Sequence, residues 1–225
     1  MNFLKSNSAR LSLIRSKVLK DFHNLKELSR ILESALLREQ KGLKVGPEAK
    51  ILSKEDKAKL HGSYRSDFEK VFLRISRYSL FVAIMAATEV NLQRLCKWIS
   101  DVLDVPPFKK KKRTGDIYTA IMKYLQEECR ISMLGSVQLA LSENVDKFRQ
   151  IRNCIVHEDG RIPNPDIFDL ASYRRSIPTL AVIPERDASS RIVLQKGFID
   201  LSIHILQQFA LGLFNSCKEK TAGTT

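Results

Sequence analysis

The chain has 225 residues, of which 44% are hydrophobic and 28% are charged. These proportions are typical of a globular protein with a hydrophobic core, and nine Gly and seven Pro are too few for a collagen-like or low-complexity chain. Lys and Arg number 38 against 25 Asp and Glu, so the formal net charge is +13. This excess favours a polyanionic partner, most often nucleic acid, although basic soluble proteins without one are common.

The sequence predicts a cytoplasmic protein with no membrane partner. The first residues lack an apolar stretch of signal-peptide length, and the longest apolar run, Leu80 to Ala87, is far shorter than the roughly 20 residues that a spanning helix needs. The four cysteines are far apart and form no CxxC pair, so their spacing does not indicate a zinc or redox motif. We therefore expect buried free thiols, no bound metal and no cofactor.

The first predicted element is a long N-terminal helix over residues 1–41. Its apolar residues recur every three or four positions, at Leu11, Ile14, Val18, Phe22, Leu25, Leu28, Leu32 and Leu36. This spacing is typical of an amphipathic helix with one face toward a core. The Val45-Gly46-Pro47 segment breaks the pattern, and the polar stretch that begins at Ser53 is expected to carry at most a short helix.

The longest helical pattern runs from about residue 66 to residue 103. One face carries Phe68, Phe72, Ile75, Ser79, Val82, Ala86 and Glu89. Residues 80–90 are apolar on most sides, which predicts the buried central helix of a bundle. Glu89 interrupts this stretch, and a buried carboxylate needs a partner. It either pairs with an arginine of a neighbouring helix and fixes the packing, or it orients a catalytic group.

A basic run follows where Val105-Pro106-Pro107 ends that helix. It consists of Lys109, Lys110, Lys111, Lys112 and Arg113. Such a run cannot pack in a core and predicts a solvated loop. Its function is open among phosphate binding, a localisation signal and no function beyond solvation.

The remaining pattern predicts two helices, a β-hairpin and a last helix. The helices are expected around residues 117–125 and 136–156, and two short β-branched strands over 179–183 and 191–195 predict the hairpin. The last helix is expected over 198–217, and residues 218–225 as a disordered tail. The fold class is therefore all-α: one domain over residues 1–225, a helical bundle with a long N-terminal helix and a small β-hairpin before the last helix.

The residues with the clearest chemistry are Arg152, Asn153 and His157, near the end of the fourth predicted helix. Asn153 and His157 are four positions apart and share a helix face, whereas Arg152 is rotated from His157 by about 140°. An imidazole can accept the proton of an RNA 2′-OH, and a guanidinium can offset the charge of the transition state at phosphorus. These roles suit RNA cleavage without a metal, but a His at a helix C-terminus also simply favours the helix dipole.

Other familiar sites are excluded by residue identity. The His157-Glu158 pair begins a metalloprotease pattern, but position 161 is Arg161 rather than a second His. No glycine-rich phosphate loop, dinucleotide fingerprint or nucleophile elbow occurs anywhere in the chain. Arg152, Asn153 and His157 therefore remain the best candidate for catalysis.

The segment Ile151-Arg152-Asn153-Cys154-Ile155-Val156-His157, followed by polar residues and Gly160, resembles the signature of the HEPN superfamily (higher eukaryotes and prokaryotes nucleotide-binding). That signature is an Arg, a polar residue that is often Asn, three variable residues and a His, at the end of a helix. The order of elements over residues 66–217 is also similar: long paired helices with an acidic residue, the motif helix and a closing helix.

This resemblance implies a HEPN-like bundle and, for many members, a metal-independent endoribonuclease of toxin–antitoxin, phage-defence or RNA-processing systems. It implies a homodimer in which two Arg–His motifs face each other. Arg152, Asn153 and His157 would carry over as catalytic residues, and Glu89 by its place in the buried helix. A dimer is also expected because one chain offers a single His and Arg on different faces, whereas proton transfer to and from RNA needs two groups.

The expected function is thus a metal-independent endoribonuclease of the toxin or defence type, with its site at a homodimer interface. RNA is the expected partner, with an antitoxin or other regulatory protein. The alternative is a non-catalytic nucleic-acid-binding or protein-interaction module of the same family. A third hypothesis is a helical adaptor whose charge is incidental. The endoribonuclease and a nucleic-acid-binding module both predict salt-sensitive RNA binding, and the adaptor predicts none.

Overall fold

A computed structural model describes residues 2–42, 53–109, 117–132, 136–162, 173, 177–185 and 189–222. Within these ranges the chain forms five continuous helical segments and one small sheet of three strands. The predicted all-α class is therefore confirmed, with a long N-terminal helix and a hairpin ahead of the last helix.

The helical elements follow one another with these bounds: α1 Asn2–Gly42, α2 Lys54–Asp67, a π-helical turn Phe68–Leu73, α3 Arg74–Leu103, α4 Ile117–Glu127, α5 Ser136–Glu158 and α6 Phe198–Ala222. The strands are β1 Arg161–Ile162, β2 Leu180–Pro184 and β3 Ser190–Leu194.

The second helical segment begins earlier than the apolar pattern predicts, at Lys54 instead of residue 66. Ser53 is the N-cap: its hydroxyl oxygen accepts a hydrogen bond from the backbone N–H of Asp56 at 3.1 Å. Glu55 and Asp56 in the first turn complement the helix dipole. The polar stretch thus forms a helix through its capping residues, a signal that apolar periodicity alone does not register.

The sheet confirms the predicted hairpin and adds a strand. β2 and β3 are antiparallel, with Leu180 opposite Leu194. The short strand β1 pairs antiparallel with the other edge of β3, with Arg161 opposite Arg191. Two residues are too few to show the alternation by which strands are predicted, so the sequence did not indicate β1.

The chain divides into two compact units, and the single domain expected over 1–225 stays a prediction. Unit 1 comprises residues 1–25, 83–153 and 201–225, and unit 2 comprises residues 26–82 and 154–200. The helices α1, α3, α5 and α6 each contribute residues to both units. These four helices are 23 to 41 residues long, so a single helix is long enough to contribute residues to both units.

Unit 1 has a core formed by five helices. Its largest fully buried side chains include Phe22, Ile84, Leu92, Leu95, Ile99, Ile121, Leu125, Phe148, Ile151 and Phe209. The first half of the predicted α1 stripe is buried as expected, at Leu11, Val18 and Phe22.

Unit 2 packs the start of α3 against the sheet and the start of α6. Its buried apolar side chains include Tyr78, Leu80, Phe81, Ile155, Ile162, Ile177, Leu180, Ile192, Leu194 and Phe198. The rings of Phe81 and Phe198 meet edge to face, with their centroids 5.1 Å apart. This is a favourable aromatic geometry.

Part of the predicted buried stripe of the long helix lies on the surface. Phe72 is 60% exposed and Ile75 is 50% exposed. Ser79 and Ala86, which continue the same stripe in the regular part of α3, are also exposed, so the buried side of this helix is a different face, that of Tyr78, Phe81 and Ile84. Residues 80–90 are not buried on all sides either, because Ala83, Ala86 and Val90 are exposed.

The last helix continues to Ala222, so the expected disordered tail over 218–225 is wrong for residues 218–222. The Lys218-Glu219-Lys220 sequence continues the helix because Lys and Glu have high helix propensity. Residues 223–225 lie outside the described residues.

One helical segment among the described residues, Lys54–Leu103, is long and apolar enough over an 18-residue window to cross a membrane by length and composition. The core helix of a soluble protein passes the same test. The absence of a membrane partner stays a prediction.

Candidate active site

Three of the four predicted catalytic residues, Arg152, Asn153 and His157, lie on the last two turns of α5. Arg152 and Asn153 belong to unit 1 and His157 to unit 2, and the helix is continuous through all three. The helix is α-helical up to Glu158. Asn153 and His157 therefore share a face, and Arg152 is rotated about 140° from His157. A single chain therefore presents the guanidinium and the imidazole on different faces of α5.

Arg152 is half-buried and is held by its neighbour. Its Nη1 donates a hydrogen bond to Oδ1 of Asn153 at 2.9 Å. Its Nε is buried and has no hydrogen-bond partner among the residues that the structure describes. A buried donor without an acceptor is unfavourable, and the described hydrogen bonds of this guanidinium include a single acceptor, Asn153 Oδ1.

His157 is exposed and lies in the last turn of α5. A cation at this position is favoured by the helix dipole. The position suits proton exchange with a substrate, and it equally suits a purely electrostatic role at the helix end.

The turn that follows His157 is tightly anchored within unit 2. Asp159 and Gly160 have φ values of 51° and 75°, the left-handed conformation that ends a helix. The N–H of Gly160 donates to the carbonyl of Cys154 at 3.0 Å, and its carbonyl accepts from the N–H of Ile192 at 2.8 Å. The helix end is thereby joined to β3.

A network of arginines and carboxylates holds the same turn. The Asp159 carboxylate accepts hydrogen bonds from Arg191 at 2.8 Å and from Arg74 at 3.2 Å. Partial burial raises the pKa of Asp159, but the hydrogen bond from Arg191 and the charges of Arg74 and Arg191 outweigh it, so the pKa lies below its usual value. Arg191 also donates to Glu185 at 2.5 Å, which lowers the pKa of Glu185 and raises the pKa of Arg191.

Sequence reasoning missed this network. Arg74 and Arg191 are more than 100 positions apart, and no spacing rule connects them. The signal that the sequence did contain is the Asp159-Gly160 pair directly after the motif, which is typical of a left-handed helix end.

Glu89 is half-buried on α3 and belongs to unit 1. It takes part in an interaction within the protein. Both hypotheses for this carboxylate, packing and orientation of a catalytic group, stay predictions.

The basic run is described only at its first residue. Lys109 is exposed, as expected for a solvated loop, whereas Lys110, Lys111, Lys112 and Arg113 lie outside the described residues. Whether the run binds nucleic acid stays a prediction.

Unit 1 contains a groove of about 440 Å³ whose lining residues precede the basic run in the sequence. Its lining includes the basic residues Arg94 and Lys97 of α3 and the ring of Phe108. Arg94 donates to Asp21 and Asn91, whereas Lys97 is exposed. The sequence signal for this groove is the pair of basic residues three positions apart on α3.

The cysteines agree with the expectation at three of four positions. Cys96, Cys129 and Cys217 are buried and free, whereas Cys154 is free but only half-buried. Burial and the nearby charge of Glu158 raise the pKa of Cys154, Arg191 lowers it, and the net value is about 11. Within the described ranges, no group of three or more His, Cys, Asp or Glu residues is arranged to hold a metal ion.

Comparison with known proteins finds no counterpart: no protein-family model, no curated protein and no solved structure matches the chain. The resemblance to HEPN proteins therefore depends on the motif residues and the order of the helices alone.

Proposed function

We propose that the protein is a metal-independent endoribonuclease of the HEPN type, with Arg152, Asn153 and His157 as its catalytic residues. The observation that carries the proposal is the Arg-Asn-x-x-x-His segment at the end of an intact helix, with an exposed imidazole and an incompletely satisfied guanidinium. The formal charge of +13 supports a polyanionic substrate.

In the proposed reaction the RNA supplies its own nucleophile. His157 accepts the proton of a 2′-OH as that oxygen attacks the adjacent phosphorus. The bond from phosphorus to the 2′-oxygen forms, the bond to the 5′-oxygen breaks, and the leaving oxygen takes a proton from a second acid. The products are a 2′,3′-cyclic phosphate and a 5′-hydroxyl.

Arg152 is assigned to charge stabilisation. Its guanidinium can bind two phosphate oxygens at once, and negative charge increases on these oxygens in the transition state. The bond from Arg152 Nη1 to the Asn153 amide supports a positioning role for Asn153. The exposed Lys109 and the groove with Lys97 are assigned to RNA binding.

The second acid is expected from a second copy of the chain. One helix presents Arg152 and His157 on different faces, and one chain has one such His. A two-fold axis beside α5 would bring together two copies of the motif. Light scattering at assay concentrations should therefore report a dimer, and a fully active monomer would rule out the shared site.

The direct test is RNA cleavage by the variants His157→Ala, Arg152→Ala and Arg152→Lys. Each alanine variant should lose about a hundredfold to ten-thousandfold in rate, the usual loss for a general base or a charge-stabilising group. Arg152→Lys should recover little, because an ammonium lacks the bidentate geometry. His204→Ala is the matched control, since His204 is exposed on α6 and should leave the rate unchanged.

Circular dichroism and sizing of each variant must show wild-type fold and assembly. Wild-type cleavage rates in correctly folded Arg152→Ala and His157→Ala proteins would make the site assignment wrong. Salt-sensitive RNA binding without any cleavage by the wild-type protein would instead favour the non-catalytic nucleic-acid-binding module.

The role of the basic run is tested separately by binding. Neutral replacements over 109–113 should lower RNA affinity and flatten its salt dependence, by roughly 0.7 in slope for each lost phosphate contact on a single strand. An unchanged slope would show that the run is only a solvated loop. The regulatory partner, an antitoxin or another protein, stays a prediction.

A further inference from the structure

Unit 2 contains a cavity that the proposed ribonuclease chemistry does not use. Its volume is about 640 Å³, within the range of about 300–1,000 Å³ that is usual for small-molecule sites. Its lining combines aliphatic and charged side chains: Val71, Leu73, Arg74, Arg77, Ile183, Pro184, Glu185, Arg191, Val193 and Leu194.

The charged part of the lining is predominantly positive. Arg74, Arg77 and Arg191 line the cavity with side chains only 19%, 13% and 13% exposed, against the single lining carboxylate of Glu185. Low exposure strengthens the field of these cations inside the cavity, because less water screens them. Glu33 and Asp159, which lie outside the lining, pair with these arginines, so the case for an anion depends on the hydrogen-bonding capacity that the arginines retain.

The three arginines differ in how completely they are paired. Arg77 donates to both carboxylate oxygens of Glu33, at 2.6 and 2.9 Å. Arg191 donates to Glu185 and to Asp159. These two guanidinium groups are well satisfied.

Arg74 is the incompletely paired cation. Its Nη1 reaches the Asp159 carboxylate at 3.2 Å, but that carboxylate is shared with Arg191 and its side chain is 64% exposed. The Nε of Arg74 is buried and has no hydrogen-bond partner among the described residues. This nitrogen has almost no accessible surface, so an occupant of the cavity can reach Arg74 only through the rest of its guanidinium group.

The apolar part of the lining indicates the chemical nature of the rest of the ligand. The apolar lining side chains are aliphatic, and Val71 and Ile183 expose large parts of their surface. Among the described lining residues none is aromatic. Stacking of a nucleobase is thus not supported, whereas burial of an alkyl chain would remove apolar surface from water.

We propose that this cavity binds a small aliphatic anion, an alkyl chain ending in a carboxylate or a phosphate. The head group binds Arg74, because a guanidinium donates two parallel hydrogen bonds to either kind of anion. The chain packs on Val71, Val193 and Leu194. The proposal is independent of the ribonuclease function.

The test is isothermal titration of the full chain with four compounds of equal chain length: octanoate, octyl phosphate, octanol and octylammonium. We expect saturable one-to-one binding of octanoate or octyl phosphate, whichever head group fits. Octanol should bind at least tenfold more weakly, and octylammonium should not bind. Equal affinity for octanol or octylammonium, or no binding of either anion at millimolar concentration, would overturn the proposal.

Two variants and a control localise the site. Arg74→Met keeps an unbranched apolar side chain, removes the guanidinium whose Cζ lies 5.9 Å from the centroid of the Tyr78 ring, and should weaken anion binding at least tenfold. Val71→Trp should narrow the cavity and weaken binding without touching a charge. Arg30→Met removes an arginine of α1 that is 70% exposed and outside the lining, and it should bind as the wild type does.

Thermal unfolding identifies the variants that remain folded. If Arg74→Met does not fold, Val71→Trp still tests whether the anion binds in this cavity. Wild-type affinity in whichever of the two variants folds would show that the anion binds elsewhere.

Discussion

The substitution Gly160→Ala tests how the turn after the motif is built. Gly160 has φ 75°, and a Cβ placed on it would lie 2.2 Å from the hydroxyl oxygen and 2.8 Å from the Cζ of Tyr78. Tyr78 is buried, and its hydroxyl donates to the backbone carbonyl of Ile192. The methyl group of alanine therefore cannot be accommodated without displacement of the tyrosine.

The expected loss of stability has two parts. A left-handed conformation costs an L-residue about 1–2 kcal/mol relative to glycine. Displacement of the Tyr78 hydroxyl leaves the Ile192 carbonyl without this donor in a buried position, which costs about 1–3 kcal/mol. Together the two parts predict a decrease of about 2–5 kcal/mol in the free energy of unfolding.

Urea unfolding followed by circular dichroism measures this decrease. Gly62→Ala is the matched control, because a Cβ on Gly62 meets nothing within 4 Å in the interior of α2. Alanine there should stabilise the protein by about 0.5–1 kcal/mol through its higher helix propensity.

A double-mutant cycle with Tyr78→Phe isolates the part of the loss that comes from displacement of the tyrosine hydroxyl. Loss of the hydroxyl removes the 2.2 Å contact and leaves the 2.8 Å contact with the ring. The Phe background also has no Tyr78 hydrogen bond to lose, so Gly160→Ala should cost about 1–3 kcal/mol less there. A loss below about 0.5 kcal/mol in the wild-type background, which is the usual range for neutral surface changes, would refute the reasoning.

Three further predictions concern unit 2. Glu33→Gln should lower the free energy of unfolding by about 2 kcal/mol or more in urea titrations, since it leaves the mostly buried guanidinium of Arg77 without its countercharge. Asp159→Asn should cost about 1 kcal/mol or less near neutral pH, because the carboxylate is largely exposed. The pKa of Asp159 is lowered in the folded state, so the carboxylate contributes fully to the free energy of unfolding above the ordinary carboxyl pKa of about 4. This contribution is lost as the pH falls through the lowered pKa, and the free energies of unfolding of the wild type and Asp159→Asn should therefore converge in acid. Cys154 should react with a thiol reagent slowly at neutral pH and faster toward its pKa of about 11, and a rate already maximal at pH 8 would contradict the raised pKa.

The sequence was most informative where one physical rule governs a long segment. The three-to-four spacing of Leu11, Val18 and Phe22 identified the buried face of α1, and β-branched alternation identified the hairpin. The pattern failed at Phe72 and Ile75, because apolar residues occur on several faces of this helix and their spacing does not show which face meets the core.

The candidate site likewise combines residues that a local sequence pattern relates and residues that only the tertiary structure brings together. Arg152, Asn153 and His157 are close in sequence, so helix geometry alone describes their relation. Arg74 and Arg191 come together only through the packing of α3 and the sheet within unit 2, and that tertiary arrangement is not encoded in any local spacing. Short elements such as β1 are likewise determined by a partner strand rather than by their own residues.

The most direct test of the central claim is incubation of the purified protein with mixed single-stranded RNA in excess EDTA, followed by end-group analysis. The proposed mechanism predicts cleavage that EDTA does not abolish, fragments with 2′,3′-cyclic phosphate and 5′-hydroxyl ends, and intact RNA with the folded His157→Ala variant. Intact RNA with the wild-type protein, or fragments that persist unchanged with His157→Ala, would contradict it.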